Sequence, residues 1–368
     1  MTSADNAAET CKAGDRALSA GQFDLARGQY ESCMKKAPPN FETLSNLGIV
    51  YAQLGQFAEA VKVYRQALAL SPENPKLRTN LGLAYLKIAH YAEAEREFAR
   101  ALLTEPDNLQ VEELLAFCQY HLEQYELSAL TLERVRKARP GEVSAAFLLG
   151  SAYLKLNLYN QAIPLIDFAL RKTNTAETHA ILGQAYLGVK AYHEALKELL
   201  AAQAVDPNIP GLHDALGTAY SGLGNADLAL AEYQKELARD PNDFEANYYL
   251  GRLKRLAGDL EASKKYLSKA EQLRPQDPAV QYEFAVFAIQ NKDFARAQGL
   301  LEGVLSKYPN YTDAHVLLAE VYFRTQRKEE GQREKAIVDA LKKADQERQS
   351  SQGPPAGDNA LPERAHKP

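Results

Sequence analysis

Tryptophan is absent from the 368-residue sequence, cysteine occurs three times and methionine twice. Three cysteines make neither a four-ligand metal framework nor a disulfide-stapled small fold. No apolar run approaches the roughly 18 residues a membrane-spanning helix needs. The N-terminal MTSADNAAETC lacks the basic-then-apolar order of a leader. The sequence thus reads as without membrane insertion and cytoplasmic; its small-residue start also fits an exported chain whose leader has been trimmed. Basic charge is not in excess. Lys and Arg number 43 against 48 Asp and Glu, a formal net charge of -5, which argues against nonspecific nucleic-acid binding. Catalytic signatures are missing too: no Gly-rich phosphate loop, no nucleophile elbow, no HExxH, no Cys/His pair at metal spacing. The GLGNA run at 222–226 falls at a joint between helices. Nothing calls for catalysis, a cofactor or a metal.

What is present is periodic. Residues 41–74, FETLSNLGIVYAQLGQFAEAVKVYRQALALSPEN, read as two helices and a tight turn. Leu44, Leu47, Val50, Tyr51 and Leu54 form one apolar stripe at helical spacing, and Gly55 stands where a left-handed C-cap is wanted. Ala60, Val61, Tyr64, Ala67 and Leu68 form the second stripe, and Pro72 stops it. Gly48, mid-helix, costs about 1 kcal/mol against alanine. It is accepted if a partner helix comes close at the small Ala60, so the pair is predicted to pack backbone to backbone.

The 34-residue pattern recurs, with units starting at Ala7, Phe41, Pro75, Leu109, Val143, Ala176, Pro210, Phe244, Pro278 and Thr312. The eighth position (Gly48, Gly82, Ala116 and their equivalents) and the twentieth (Ala60, Ala94, Ser128) are small in all ten units. Leu47-Gly48, Tyr51, Ala60, Tyr64, Ala67 and Pro72 resemble the signature of the tetratricopeptide repeat. That resemblance implies an all-α, right-handed α-solenoid of about ten helix-turn-helix units, because each unit buries its apolar face only against its neighbours. The predicted organisation is a tail at 1–6, the solenoid at 7–349 and a disordered, Gly/Pro-rich tail at 350–368.

Irregularities mark some units. Cys11 and Cys33 come level at one end of the first hairpin, so a disulfide is geometrically open. The plainer reading keeps both as thiols, with Cys33 and Cys118 as small core filler. In the fifth unit Pro164 falls inside the second helix and the unit runs one residue short, which suggests a hinge over 157–176. His179, His213 and His315 share the fourth position; without ligands beside them at helix-face spacing they read as packing histidines. The polar stretch from Arg324 to about Gln349 reads as a capping helix, since no neighbour covers a terminal repeat. Asn310-Tyr311-Thr312 matches a glycosylation sequon, which matters only in a secretory pathway.

By the resemblance, the first helices line a concave groove. The residues it assigns there are Asn46, Ile49, Asn80, Leu83, Leu86, Phe117, Tyr120, Phe147, Leu154 and Leu187, an apolar lining for a protein or peptide ligand. Tyr248, Arg252, Arg255 and Tyr282 make a second cluster suited to an acidic or phosphorylated group, or else a basic face paired with neighbouring carboxylates. The Lys and Asn pair that some relatives use to clamp a chaperone tail is met in no unit. The expected role is a non-catalytic scaffold or adaptor. The alternatives are a substrate-recruiting subunit for a separate enzyme and a self-associating structural oligomer.

Overall fold

The structure, a computed structural model, describes residues 3–351, so the predicted tail lies outside the described residues from position 352 onward. Twenty helices and no strand occur among the described residues, and the chain divides into two compact units between Val189 and Lys190. The first unit holds α1 (Ser3–Ser19), α2 (Phe23–Lys36), α3 (Phe41–Gln53), α4 (Phe57–Leu70), α5 (Pro75–Lys87) and α6 (Tyr91–Thr104). It continues through α7 (Leu109–His121), α8 (Tyr125–Ala138), α9 (Val143–Lys155), α10 (Tyr159–Thr173) and α11 (Ala176–Gly188). The second unit comprises α12 (Tyr192–Val205), α13 (Leu212–Gly222), α14 (Ala226–Arg239), α15 (Phe244–Leu256) and α16 (Leu260–Leu273). Its last helices are α17 (Pro278–Gln290), α18 (Phe294–Lys307), α19 (Thr312–Arg324) and α20 (Lys328–Ser351). None is long and apolar enough to cross a membrane.

Within each unit the repeats are antiparallel hairpins whose ends are set by local chemistry. Asn40, Asn74, Asn108, Thr175, Asp243 and Asp277 precede first helices, and each side chain accepts from a backbone N–H of the first turn. Losing such a cap costs about 1 kcal/mol. The fifteenth residue of every repeat is left-handed: Gly21, Gly55, Gly224 and Gly258, but also Ala89, Glu123, Asn157, Lys190, Lys292 and Gln326. The turn geometry is therefore imposed by packing, and six units hold a side chain where glycine would be free of strain.

Packing explains the small eighth position. A Cβ on Gly48 would run into the Tyr64 ring, and one on Gly217 would lie 2.7 Å from the Tyr233 ring. In four units the glycine clears an aromatic at the twenty-fourth position, and Gly150 and Gly251 clear Ile166 and Leu267 in the same way; Ala116 and Ala285 are accommodated against Leu132 and Leu301, all four fully buried. The helices also approach backbone to backbone at the twentieth position. Ser128 Oγ donates to the Ala116 carbonyl at 2.9 Å, and Ser263 Oγ to the Gly251 carbonyl at 2.6 Å. The predicted glycine–alanine contact is thus shared with a ring that the sequence reading did not assign to it.

Within the first unit successive first helices touch one another (α1 with α3, α3 with α5, α7 with α9, α9 with α11), whereas no two second helices come as close. First helices therefore form the inner side of the stack. In the second unit α17 and α19 make the same contact.

Several sequence expectations change. Residues 3–6 belong to α1 rather than to a tail. Cys11 and Cys33 are joined as a disulfide, with Cα atoms 5.4 Å apart, because antiparallel pairing of α1 and α2 brings them level; the reading as free thiols is corrected. Cys118 is buried, and burial pushes its thiol up to about 12. The polar C-terminal helix, expected from Arg324, begins at Lys328 and is the second helix of the tenth repeat. Pro164 lies inside α10, which runs on to Thr173 and ends at a left-handed Asn174.

Candidate peptide-binding face

The inner face of the first unit is apolar and half-buried rather than open. Ile49 packs on the core formed by Leu47, Val50 and Leu81, and Leu86 on the cluster of Phe98 and Val111. Asn46 is already engaged, its Nδ2 donating to Asp15 Oδ1 at 3.1 Å, while Asn80 is half-buried. Tyr120 and Leu154 rest against neighbouring clusters, and Phe147 and Leu187 are likewise half-buried. Leu83 is the most accessible of the row, at 36%.

An aromatic group missed in the sequence completes this face. Tyr91 stacks on His121, ring centroids 4.6 Å apart and 9° between planes. Phe117 lies 4.4 Å from the same imidazole, and Tyr120 lies 5.4 Å from Tyr125. Burial pushes the His121 imidazole down, so the ring is an uncharged stacking surface near neutral pH. Tyr91 opens a second helix and His121 ends the first helix of the next repeat. Tyr159 meets Gly188, and Tyr192 meets Gly222, in the same relation. The signal was present: Phe23, Phe57, Tyr91, Tyr125, Tyr159 and Tyr192 put an aromatic at the seventeenth position of six consecutive units.

The inner face of the second unit is ionised. Arg255 Nε donates to Glu283 Oε2 at 2.6 Å, and Arg252 Nε lies 3.8 Å from Glu283 Oε1. Glu283 is 1% exposed, so the carboxylate facing these arginines is supplied by the chain itself. Arg252 stays about half-exposed, beside Tyr248 and Tyr282, whose hydroxyls burial pushes up. Asp214 is half-buried near Asp243, Glu236 and Glu245. Burial first, then those carboxylates, push it up to about 8.

A further side-chain pairing runs between the fourth and twenty-third positions. Arg78 Nη1 donates to Glu97 Oε2 at 2.8 Å; His213 Nδ1 lies 2.6 Å from Glu232 Oε2, and His315 Nδ1 2.5 Å from Glu334 Oε2. The reading of these histidines as lone packing residues is thereby corrected for His213 and His315, since the second helix brings each a carboxylate. His179 bonds the Asn174 side chain at 3.0 Å. No group of His, Cys, Asp and Glu suited to a metal exists among the described residues.

Comparison with known proteins places the repeats. Profiles described as "TPR repeat" match residues 50–88, and profiles described as "Tetratricopeptide repeat" match 79–143, 215–278 and 288–351. One described as "Anaphase-promoting complex, cyclosome, subunit 3" matches 128–202. The chain is 24% identical over 170 residues to Superkiller protein 3 of Schizosaccharomyces pombe, a match covering 43% of this chain and 12% of that one. It is 28% identical over 129 residues to a TPR repeat-containing protein of Methanocaldococcus jannaschii, covering 34% and 23%. The matched stretches thus span less than a quarter of either relative. Among solved structures, the anaphase-promoting-complex heterotetramer Cut9–Hcn1 superposes with a TM-score of 0.52 at 13% identity, over 90% of this chain and 86% of that one. That likeness concerns the fold alone.

Proposed function

The chain is a tetratricopeptide-repeat protein, and we propose that it works as a binding scaffold that holds an extended or helical peptide segment of another protein. One observation carries this reading: Phe117, Tyr120 and His121 cluster ring against ring on the inner face of residues 41–189, and Leu83, 36% exposed, holds the same repeat position as Phe117 one unit earlier. Contiguous apolar area of that kind marks an interaction site more often than a solvated surface. Aromatic faces anchor a peptide at little entropic cost because few torsions must be fixed.

The test is a double substitution, Leu83→Asp with Phe117→Asp, followed by affinity capture from the native lysate and mass spectrometry. Partner recovery is expected to collapse while circular dichroism keeps the wild-type helix content. A folded double variant that still retrieves the same partner would move the ligand off this face.

A second reading, self-association, is favoured by the last hairpin. A hollow of about 460 Å³ lined by Val316, Ala319, Phe323 and Val338 opens between α19 and α20 among the described residues, with Val316 44% and Phe323 38% exposed. Sedimentation velocity across a concentration series separates the two, since only self-association shifts the coefficient with protein concentration.

A further inference from the structure

On the second-helix side of the first unit, away from the strip just described, a cleft of about 560 Å³ opens between α4 and α6 with α5 as its floor. Its floor is apolar and fixed. Leu81 is buried, and Leu68 and Tyr85 are half-buried beside it. Arg78 is buried there as well, but its charge is spent internally on Glu97 at 2.8 Å and on the Pro72 carbonyl. The rim differs. Arg65, Arg96 and Arg100 are exposed; Arg96 reaches Glu93, and Arg100 reaches Glu97, only at 3.9 Å, and Arg65 makes no ion pair among the described residues. Four arginines against two glutamates leave a local net charge of about +2 in a chain whose formal charge is -5.

Surplus guanidinium above an apolar floor has a specific complement. Each rim arginine has planar donors that fit a carboxylate in the bidentate manner. At 3.9 Å from their own glutamates, Arg96 and Arg100 give up little to turn toward an incoming anion, since exposed pairs contribute only about 0–1 kcal/mol. An apolar side chain between two acidic ones would cover Leu68 and Tyr85. We propose that this cleft is a second binding site, which takes a short acidic peptide segment of a protein partner, its carboxylates on Arg65, Arg96 and Arg100 and one apolar side chain on the floor. It is independent of the inner-face strip, so one chain could hold two segments at once.

The experiment uses the full-length protein and a fluorescein-labelled peptide of glutamates flanking a central leucine, followed by anisotropy. Binding is expected at low salt, weakening as ionic strength rises. Arg65→Glu with Arg100→Glu should weaken it by about tenfold or more. Lys62→Glu with Lys137→Glu makes the same change in net charge on exposed positions outside the cleft and should leave affinity within about twofold. Leu83→Asp with Phe117→Asp should bind the probe as the wild type does, which keeps this site distinguishable from the strip. If the glutamate variant fails to fold, Arg65→Gln with Arg100→Gln gives the same readout. Absence of binding, or equal loss in the Lys62/Lys137 control, overturns the proposal. Tighter capture of a single-stranded oligonucleotide that is lost with the same arginines overturns it as well.

Discussion

The inner faces of the two units are built on one backbone plan and carry opposite chemistry. In the first, the outward positions of successive first helices hold Ile49, Leu83, Phe117 and Tyr120, with imidazole and phenol rings stacked around them. In the second, the equivalent positions of α15 hold Arg252 and Arg255, which the chain answers with a buried Glu283, while α17 keeps Val286 and Ile289 there. The hairpin does not care which is chosen, because its stability comes from the eighth, twentieth and twenty-fourth positions facing inward between its own helices. What differs is how replacement is felt. An apolar side chain as accessible as Leu83 can be changed at little cost to the fold; a buried carboxylate serving two guanidiniums cannot.

That contrast can be broken in order of effect. Glu283→Ala should be the most damaging, about 3 kcal/mol in denaturant unfolding, because two arginines are left without their buried counter-charge. Leu83→Asp should cost a small fraction of that. Equal losses at the two sites would erase the distinction. Gly48→Ala comes next, at about 2 kcal/mol, because its Cβ enters the Tyr64 ring. Adding Tyr64→Leu should return part of the loss, reproducing the pairing of Ala116 with Leu132, and a strictly additive double variant would refute the clash.

Asp214 sharpens the electrostatic side of the comparison. Its folded value, about 8, lies above the ordinary 3.8, so folding favours the protonated form. Its contribution is fully present below about pH 4 and is lost as the pH rises toward 8. Asp214→Asn should therefore stabilise the second unit near neutrality and flatten the fall in stability between those limits; an unchanged pH profile would show that its neighbours do not act on it. The smallest effect is a gain. Glu123→Gly in the α7–α8 turn, at φ 60°, should stabilise by about 0.5–1 kcal/mol in thermal unfolding, relieving a left-handed side chain.

The period made the hairpins legible. First helices begin at Phe41, Pro75, Leu109, Val143, Ala176, Phe244, Pro278 and Thr312, the residues at which the 34-residue pattern restarts. Contacts inside one helix follow from spacing alone, so the stripes could be drawn. Contacts between helices need the relative rotation of two rods, which spacing does not supply. Hence Arg78 with Glu97 and His213 with Glu232, both 19 residues apart, went unpaired until the hairpins were closed. The stacking of Tyr91 on His121 joins two different repeats and is one step further from the sequence. The candidate strip was half-readable for the same reason. Its positions were nameable, but their half-burial against neighbouring helices was not.

One feature of the first hairpin reaches beyond its own packing. Repeats in a stack are held together by their neighbours. The first hairpin adds a covalent bond across α1 and α2, closing a loop of 22-residue separation that is worth about 3 kcal/mol by the chain-entropy relation. The hairpin of α19 and α20 has no such bridge among the described residues. A protease or a translocating motor working on this molecule therefore meets a latched hairpin at α1 and α2 and an unlatched one at α19 and α20. The latched hairpin yields after the unlatched one while the bridge is closed, and thiol reduction removes that preference.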